Sequence, residues 1–277
     1  MKNQKFLIAI STYKEVDNLK NIIEKIKYYS PASDILIVND NSNDGTKELV
    51  EEINDDNLIY IERPKKLGLG TAHKLSIFYA IKHNYDFLLT MDADFSHDPS
   101  HIPLLIEKAR LDNFVIGSRF CDGGKSDYKG MRKVISNYGN FFARKFLGIK
   151  LLEITTYFRV YSVKLLKKLP YDKLNAQGYS LGVKLVWFMN KLNADLIEVP
   201  IHFRDRTKGN SKIPKLQIFI SFFDLIILKF NDVFIKQKFY ENNQTFNFEK
   251  KCNNCSNSFF TLRKKNLKCL VCDNNKI

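Results

Sequence analysis

The sequence lacks an apolar run long enough to span a bilayer. A transmembrane helix needs ~20 consecutive apolar residues, and the longest apolar stretch, Leu216–Leu228, is interrupted by Asp224. The first residues of the chain contain only a short apolar run without a small-residue cleavage site, so no secretory signal is predicted there. We therefore expect a cytoplasmic protein, and association with a membrane surface stays open.

Cysteine is nearly absent from the first 250 residues, where Cys121 stands alone and is expected to be a bystander. Four more cysteines fall in the last 26 residues, as Cys252-x-x-Cys255 and Cys269-x-x-Cys272. Two such pairs, thirteen residues apart, are typical of a four-thiolate zinc ribbon, and disulfides are not expected in a cytosolic chain. The sequence therefore predicts a structural Zn²⁺ that stabilises a tail too small to fold on its core alone.

Acidic residues are outnumbered: 30 Asp and Glu stand against 44 Lys and Arg, which gives a formal net charge of +14. This balance favours an anionic partner, such as a nucleotide, a nucleic acid or an anionic membrane surface. A genome rich in A and T, which favours Lys and Asn codons, would account for part of the excess.

The chain has 277 residues and 44% hydrophobic content. It can form one large domain of ~200–250 residues plus an appendage, and a disordered chain is excluded.

Short apolar segments alternate with helical patterns through the first half of the chain. Helical spacing runs from Val16 to Ile26 after the first segment, and as far as Ile81 after the third. Strands separated by helices of this length indicate βαβ units, and therefore an α/β fold with a mostly parallel sheet. The predicted strands are Phe6–Ile10, Ile35–Val38, Leu58–Ile61, Phe87–Met91, Val115–Arg119, Phe158–Tyr161 and Leu196–Phe203, and a further helix is predicted over Tyr179–Asn190.

The fourth predicted strand ends in two carboxylates, Asp92 and Asp94. In an extended chain the side chains at i and i+2 point the same way, so both carboxylates can face one cation or one diphosphate. Parallel sheets bind ligands where strands end in loops, and Tyr13 and Asp40 follow two other predicted strands. A surface turn with acidic caps is the alternative interpretation.

Basic and apolar segments dominate the second half of the chain. Between Lys125 and Lys150 there are seven basic residues and only one acidic residue, Asp127, and aromatic residues are interleaved with them. This pattern suits a membrane interface, and an amphipathic helix packed on the domain is the alternative. The stretch Ile213–Ile235 is predicted to form one or two interfacial helices, with a core helix or a dimer contact as the alternative. The basic loop at 204–212 either closes over a diphosphate or is a solvated turn.

Six short motifs occur in order along the chain. They are Ser-Thr-Tyr-Lys-Glu at 11–15, Val-Asn-Asp-Asn-Ser-Asn-Asp-Gly-Thr at 38–46, Leu-Gly-Leu-Gly-Thr-Ala at 67–72, Met-Asp-Ala-Asp-Phe-Ser-His-Asp-Pro at 91–99, Gly-Ser-Arg-Phe at 117–120 and Arg-Thr-Lys-Gly-Asn-Ser-Lys at 206–212. In this order they resemble the family 2 inverting glycosyltransferases, most closely the polyprenyl-phosphate (dolichol-phosphate) mannosyltransferase group. The resemblance covers about residues 5–215. It implies a GT-A type, Rossmann-like nucleotide-diphospho-sugar transferase fold and transfer of a hexose to a polyprenyl phosphate.

The resemblance also implies roles for individual residues. It places Asp94, Arg119 and Arg132 in the catalytic machinery, and it gives Asp94 and Ser96 to a catalytic Mg²⁺ or Mn²⁺. It assigns nucleotide-sugar binding to Ser11, Tyr13, Glu15, Val38, Asp40, Asp92, Ala93, Asp94, Arg119, Arg206 and Lys212.

The chemistry of the implied reaction agrees with these residue types. A leaving nucleoside diphosphate develops negative charge, which a divalent cation and arginines would stabilise. A lipid monophosphate acceptor is already ionised near pH 7, so it needs orientation rather than a strong general base. A hydroxyl of a cell-surface glycan, the alternative acceptor, would need such a base. A second alternative is a non-catalytic binding protein that works through the zinc ribbon.

The chain departs from the family pattern at four positions. Ser11 stands where the family usually has proline, and Asn39 replaces the first acid of an Asp-Asp pair. In the acceptor half, Glu153 replaces an Asp and Lys184 stands where a Glu is common. The Gln-x-x-Arg-Trp segment of processive sugar polymerases is missing from the sequence, and Trp187 is expected to be a core residue.

Three regions are predicted along the chain. They are a glycosyltransferase domain at 1–212, amphipathic interfacial helices with a linker at 213–250, and the zinc-ribbon tail at 251–277. The expected partners are a nucleotide sugar and a polyprenyl phosphate in the membrane, with an integral membrane protein as a further candidate. Nucleic acid is not expected as a partner. The protein is expected to be peripheral at the inner, cytoplasmic face of the membrane.

Overall fold

The computed structural model of the protein describes residues 4–171, 174, 180–205 and 226–229, and the backbone alone of 179, 249–251 and 258–260. Several predicted features lie outside these residues. They are Arg206 and Lys212, the interfacial helices of 213–235 apart from one helical turn at 226–229, and the four paired cysteines. The predictions for these features stay predictions.

Strands and helices alternate along the chain. The strands are β1 (Phe6–Thr12), β2 (Asp34–Asn39), β3 (Leu58–Glu62), β4 (Phe87–Asp92), β5 (Asn113–Ser118), β6 (Lys125–Ser126), β7 (Arg159–Ser162), β8 (Asp195–Pro200), β9 (His202–Phe203), β10 (Glu249–Lys251) and β11 (Ser258–Phe260). The α-helices are α1 (Val16–Tyr29), α2 (Thr46–Ile53), α3 (Leu69–Lys82), α4 (Ile102–Lys108), α5 (Gly130–Leu147), α6 (Val163–Leu166) and α7 (Tyr179–Lys191), and a 3₁₀ turn (Pro99–His101) precedes α4.

Seven strands form one mixed sheet in the order β3-β2-β1-β4-β7-β5-β8. Neighbouring strands run parallel except at β7, which is antiparallel to both β4 and β5. The central strands are continuous apolar runs because helices cover both faces of the sheet; Leu7, Ile8 and Ile10 of β1 are all fully buried. The predicted α/β fold with a mostly parallel sheet is confirmed.

A hydrophobic core lies on each face of the sheet because side chains alternate along every strand. Leu7 of β1 belongs to the core that also contains residues of α3 and α7. Its neighbour Ile8 belongs to the other core, together with Leu19 of α1. Trp187 of α7 is fully buried in the first core, which confirms that it is a core residue.

The parallel strands β1, β2 and β4 deliver their carboxyl ends to the same edge of the sheet. In their register, Ser11 of β1 stands beside both Val38 of β2 and Asp92 of β4. Tyr13 and Asp40 follow directly after their strands. This edge is where parallel sheets bind ligands, so the topology brings most of the predicted donor-binding residues together.

The sequence prediction of one long strand over Leu196–Phe203 is wrong. The structure divides this stretch into β8, which pairs with β5, and β9, which pairs with β6. Pro200 has no N–H to continue a ladder, and the N–H of Ile201 donates to the carbonyl of Ser118 at 3.0 Å. The chain therefore changes partners at residue 201, and β9 leaves the main sheet.

The basic and aromatic segment at 125–150 contains β6 and the long helix α5. The C-terminal half of α5 anchors it to the domain, where Asn140 and Ala143 are buried. Apolar side chains of its N-terminal half point away from the described residues; Met131 is 71% exposed and Tyr138 is 72% exposed. Within the described part of the chain, packing on the domain therefore does not explain why the N-terminal half of α5 carries apolar side chains. None of the described helices combines the length and apolar content that crossing a bilayer requires.

Candidate active site

The chain turns sharply after β4, and this turn brings Asp94 and Ser96 together. Residues 92–97 are here called the acidic tip. Ser96 donates twice to Oδ1 of Asp94, from its hydroxyl at 2.5 Å and from its backbone N–H at 3.1 Å. Phe95 between them has a φ of 61°, a left-handed conformation that bulky side chains rarely adopt. Local strain of this kind is typical of functional sites.

His97 fixes the backbone at the start of the acidic tip. Its Nδ1 accepts the N–H of Asp92 at 3.0 Å. Because Nδ1 is an acceptor, the ring is neutral, and its 3.7 Å separation from the Asp92 carboxylate is not an ion pair. The imidazole stacks on Phe158 and meets Phe203 edge-on, with centroids 5.1 and 5.3 Å away. Asp92 keeps 29% of its side chain exposed, whereas Ala93 is buried. Sequence reasoning missed this role of His97.

The acidic tip offers oxygen ligands that fit a hard divalent cation. The side-chain oxygens of Asp94 and Ser96 are 2.5 Å apart, not far below the roughly 3 Å between adjacent ligands of an octahedral Mg²⁺. Within the described residues, no three His, Cys, Asp or Glu side chains converge to hold a metal. The acidic tip would therefore supply only part of a coordination shell, and Mg²⁺ commonly takes the rest from substrate phosphates and water.

A cleft of about 620 Å³ opens between the loops that follow β1 and β2. Lys14, Asn41 and Asn43 line it with left-handed backbone conformations, at φ values of 57°, 56° and 46°. Tyr13, a predicted nucleotide-binding residue, also lines the cleft, and the Lys66 ammonium lies 3.9 Å from its ring centroid. An aromatic ring among polar side chains suits a nucleoside. Other lining residues are Val16, Asp17, Ser42 and Asp44.

The remaining predicted nucleotide-binding residues of β1 and β2 differ in what they can offer a ligand. The hydroxyls of Ser11 and Thr12 are buried and have no hydrogen-bond partner among the described residues. Unsatisfied buried groups are rare in native proteins, and the contact of Ser11 with the nucleotide sugar stays a prediction. Val38 is fully buried, and its contact with a ligand stays a prediction. Glu15 caps α1, and its carbonyl and carboxylate both accept from Asn18 at 3.0 Å.

Both carboxylate oxygens of Asp40 already accept hydrogen bonds from the protein. Oδ1 accepts from Arg63 at 2.6 Å and from the N–H of Leu67 at 2.6 Å, and Oδ2 accepts the N–H of Gly68 at 2.8 Å. Burial lowers the pKa of Arg63, and the charge of Asp40 opposes this shift. Asp40 therefore holds the loop that begins α3. Its contact with base and ribose stays a prediction.

Arg119 follows β5 and is oriented by a buried carboxylate. Its Nε donates to Glu153 at 2.7 Å, and its Nη2 donates to the hydroxyl of Thr155 at 2.8 Å. Glu153 is completely buried, and its other oxygen accepts the N–H and the hydroxyl of Thr155. The guanidinium also lies over the ring of Phe203, 4.9 Å from its centroid. The glutamate that departs from the family pattern is therefore the residue that holds the predicted phosphate-binding arginine, which the sequence did not reveal.

The segment 152–156, which contains this glutamate, is itself held from three sides. Glu198 of β8 accepts two of its backbone N–H groups at 2.9 and 3.0 Å. Asn140 of α5 donates to one of its carbonyls at 2.5 Å and accepts one N–H at 3.0 Å. The fully buried Arg159 donates to two further carbonyls. These bonds give Arg119 a rigid support and join α5 to the site.

Arg132, the third predicted catalytic residue, lies on the exposed half of α5. Its guanidinium packs on the ring of Tyr128, 3.9 Å from the centroid, and donates to Asp205 at 2.6 Å. The two partners of this ion pair are 43% and 50% exposed, and exposed pairs contribute little to stability. Tyr128 meets Phe203 with centroids 5.3 Å apart. Arg119 and Arg132 therefore contact the same aromatic cluster.

A buried histidine of α3 lies near the support of Arg119. The ring of His73 stacks on Tyr157, with centroids 4.0 Å apart and 3° between the planes. Burial lowers the pKa of His73 to about 3, and the charges of Arg159 and Arg63 add to this shift. The imidazole is therefore neutral at physiological pH. Sequence reasoning missed this residue.

Known proteins with similar sequences are sugar transferases. Residues 7–170 match the family model described as Glycosyl transferase family 2. The undecaprenyl-phosphate mannosyltransferase of Micrococcus luteus is 35% identical over 210 residues, which are 75% of this chain and 86% of that protein. The polyprenol monophosphomannose synthase of Mycolicibacterium smegmatis is 32% identical over 215 residues, which are 76% of this chain and 81% of that protein. The family match includes the acidic tip, Arg119 and the segment 152–156.

Solved structures share the fold at lower sequence identity. One is glucosyl-3-phosphoglycerate synthase from Mycobacterium tuberculosis, in complex with Mn²⁺, UDP and glucosyl-3-phosphoglycerate. It has a TM-score of 0.58 at 18% identity, covering 81% of this chain and 79% of that one. Mannosyl-3-phosphoglycerate synthase from Rubrobacter xylanophilus has a TM-score of 0.57 at 14% identity, covering 93% and 87%. At these identities the likeness concerns the fold, and it confirms the GT-A type architecture.

Replacement of Asp40 should destabilise the fold. Asp40→Ala is expected to lower the free energy of unfolding by about 3–5 kcal/mol, because Arg63 would stay buried without its counter-ion. Urea-induced unfolding at pH 7 measures this loss. Glu51→Ala, which removes an exposed pair with Lys47, is the control and should cost less than about 1 kcal/mol. A loss for Asp40→Ala no larger than that of the control would contradict the structural role.

The pKa of His73 predicts how stability depends on pH. Between pH 6.5 and about 3, the unfolded chain binds a proton that folded His73 does not, so stability falls as the pH falls. From pH 7 to pH 5 this loss amounts to about 2 kcal/mol. His73→Phe keeps a ring on Tyr157 and removes the titration, so its loss in urea unfolding between these pH values should be smaller by about 2 kcal/mol.

The control for this pH dependence is His83→Phe, since His83 is exposed and stacks on Tyr79. Its loss of stability between pH 7 and pH 5 should equal that of the wild type. If His73→Phe and the wild type lose the same free energy of unfolding, the buried neutral histidine is not the cause.

Proposed function

The chain belongs to glycosyl transferase family 2, and on this premise we propose what it transfers. It moves a hexose of mannose or glucose type from a nucleotide-diphosphate sugar to a polyprenyl phosphate at the cytoplasmic face of a membrane. The relatives from Micrococcus luteus and Mycolicibacterium smegmatis support this acceptor class. The observation that carries the proposal is the acidic tip, where Asp94 and Ser96 present two adjacent oxygens at the ligand-binding edge of the sheet.

The nucleotide of the donor would lie along the carboxyl ends of β1 and β2. Its nucleoside is proposed to occupy the cleft against the ring of Tyr13. Ser11 offers a buried hydroxyl without a partner among the described residues, and it stands beside Asp92 in the sheet. The diphosphate would therefore reach the acidic tip from the cleft over a short distance.

The acidic tip is proposed to hold Mg²⁺ or Mn²⁺ together with the donor diphosphate. Asp94 and Ser96 would be the protein ligands, because hard cations prefer oxygen donors. When bound, the cation supplies positive charge that stabilises the negative charge developing on the leaving diphosphate.

Sugar transfer exchanges one bond at the anomeric carbon for another. An oxygen of the acceptor phosphate forms the new bond on one face of the sugar while the bond to the donor diphosphate breaks on the other, which inverts the configuration. The nucleoside diphosphate leaves with the electron pair of the broken bond. Arg119, which Glu153 holds in a fixed orientation, is proposed to stabilise this charge. No strong general base is required, because a phosphate acceptor is already ionised near pH 7.

The acceptor phosphate is proposed to bind Arg132. In the structure this guanidinium pairs with the carboxylate of Asp205, which the phosphate would replace as a stronger, charge-assisted partner. Arg206 and Lys212, which lie outside the described residues, are proposed to bind the phosphates of the nucleotide sugar.

Helix α5 is proposed to bring the protein to the membrane surface. Its exposed half presents apolar side chains, among them Met131, Ile135 and Tyr138, next to the cations of Arg132 and Lys133. Apolar side chains enter the interface while basic ones attract anionic lipid headgroups. This arrangement would place Arg132 where the phosphate of a membrane lipid lies.

The C-terminal region is proposed to be a separate unit. It comprises the zinc-ribbon tail at 251–277, joined to the transferase domain at 1–212 through 213–250. Strands β10 and β11 pair antiparallel and flank the first cysteine pair in sequence. An integral membrane protein is a candidate partner for this region. The proposed Zn²⁺ ligands are Cys252, Cys255, Cys269 and Cys272.

Transfer to lipid is the direct test of the proposed function. The protein is incubated with Mn²⁺, a polyprenyl phosphate and labelled GDP-mannose, UDP-glucose or UDP-N-acetylglucosamine. Chloroform-soluble label is expected with at least one donor. Asp94→Asn should lower this transfer by roughly 10²-fold or more, because the negative charge of the proposed cation ligand is lost. Asp55→Asn, at a half-buried ion pair with Lys27, is the control and should retain full activity.

No chloroform-soluble label with any of these donors would rule out the proposed acceptor. Label found in a glycan instead would support transfer to a hydroxyl.

Membrane association through α5 is tested with vesicles that contain phosphatidylglycerol. The double variant Met131→Ser/Tyr138→Ser should bind them roughly 100-fold or more weakly in cosedimentation, since each buried apolar side chain contributes ~1.5–3 kcal/mol. Tyr28→Ser removes an equally exposed tyrosine from the end of α1 and should bind as the wild type does. Equal binding of the double variant and the wild type would contradict the role of α5.

A further inference from the structure

The segment 202–205, here called the β9 segment, lies across the acidic tip. The backbone N–H of Arg204 donates to the carbonyl of Ser96 at 3.3 Å. The Arg204 side chain pairs with Asp98 at 3.0 Å. The β9 segment is therefore fixed against the part of the site that is proposed to hold the donor diphosphate.

Phe203 is the buried side chain of the β9 segment, with 8% exposure. Its ring meets the imidazole of His97 at 5.3 Å and the ring of Tyr128 at 5.3 Å, both close to edge-on. The guanidinium carbon of Arg119 lies 4.9 Å from the ring centroid. One ring therefore touches three side chains from three different parts of the chain.

Each of these neighbours orients a group that the proposed reaction uses. His97 accepts the N–H of Asp92 at 3.0 Å and so fixes the acidic tip. Arg119 carries the positive charge that is proposed to stabilise the leaving diphosphate. Tyr128 supports Arg132, whose guanidinium packs on its ring and donates to its hydroxyl at 3.1 Å.

We infer that Phe203 is a positioning residue for sugar transfer: its ring sets the spacing between the donor-side groups and the acceptor-side arginine. This inference rests on the proposed function. Aromatic rings and guanidinium groups prefer particular face and edge contacts, so the ring constrains direction as well as distance. Misplacement of reacting groups by about 1 Å can lower a rate on the order of 10²-fold. Phe203 lies outside the six sequence motifs.

A purely structural role is the competing explanation, because Phe203 also belongs to a hydrophobic core. Phe114 offers a matched control. It is fully buried and packs against Tyr161 with centroids 5.1 Å apart, in the core on the other face of the sheet. Phe114→Leu should therefore destabilise the fold at least as much as Phe203→Leu without disturbing the site.

The first test is steady-state kinetics at a temperature where all variants are folded. Phe203→Leu should lower kcat roughly 10- to 100-fold while the KM for the donor changes less than about threefold, because positioning acts mainly on the transition state. Phe203→Tyr keeps the ring and should retain kcat within about threefold. Phe203→Met is a second variant without a ring, in case the leucine variant does not fold. A kcat loss no greater than that of Phe114→Leu overturns the inference.

The second test does not depend on the acceptor. The Nε–H of Arg119, which donates to Glu153, gives a signal in ¹⁵N-arginine NMR that is identified by its loss in Arg119→Lys. This signal should be protected from solvent exchange in the wild type, in Phe203→Tyr and in Phe114→Leu, and broadened in Phe203→Leu. An unchanged signal in Phe203→Leu overturns the inference. If the wild type does not transfer sugar to a polyprenyl phosphate, the proposed function fails, and this signal still decides the role of Phe203.

Discussion

The turn at the end of β4 is held closed by Ser96, which donates twice to one oxygen of Asp94. The parallel sheet brings this turn to the same edge as the cleft, and His97 binds the N–H of Asp92 where the strand ends. The acidic tip is therefore fixed at both of its ends. Because hydrogen bonds fix the turn on both sides, Phe95 is held in a left-handed conformation that is unfavourable for its side chain. The proposed cation and the donor diphosphate both depend on this geometry.

The proposed reaction also requires positive charge that is fixed in position before the leaving group departs. A buried arginine is costly unless a carboxylate and hydrogen bonds compensate it, and Glu153 and Thr155 do so for Arg119. The segment that carries them is held in turn by α5, β8 and Arg159. In the proposed reaction, preorganised charge of this kind would lower the barrier, because nothing has to reorient when the leaving group departs. Since α5 also presents its apolar side chains outward, the same helix links the proposed membrane surface to the active site.

The features that can be predicted from the sequence are those that depend on residues close to one another along the chain. The central strands are visible as apolar runs, and the proximity of Asp94 and Ser96 follows from their separation by two residues. The contacts of Asp40 with Arg63 and of Arg119 with Glu153 join residues 23 and 34 positions apart, and these depend on how the elements pack. The division of β8 from β9 was missed because the apolar alternation continues through Pro200, although the strand pairing does not. Phe203 was missed for a related reason, since its importance lies in its three neighbours.

The most direct test of the acidic tip as a cation site is electron paramagnetic resonance of Mn²⁺ with a nucleoside diphosphate present. Binding to the protein removes the sharp signal of free Mn²⁺, so the amplitude of this signal reports occupancy. Wild-type protein should reduce the signal well below the level set by the nucleotide alone, and Asp94→Asn should leave it near that level. An equal reduction by both proteins would contradict a cation site built on Asp94.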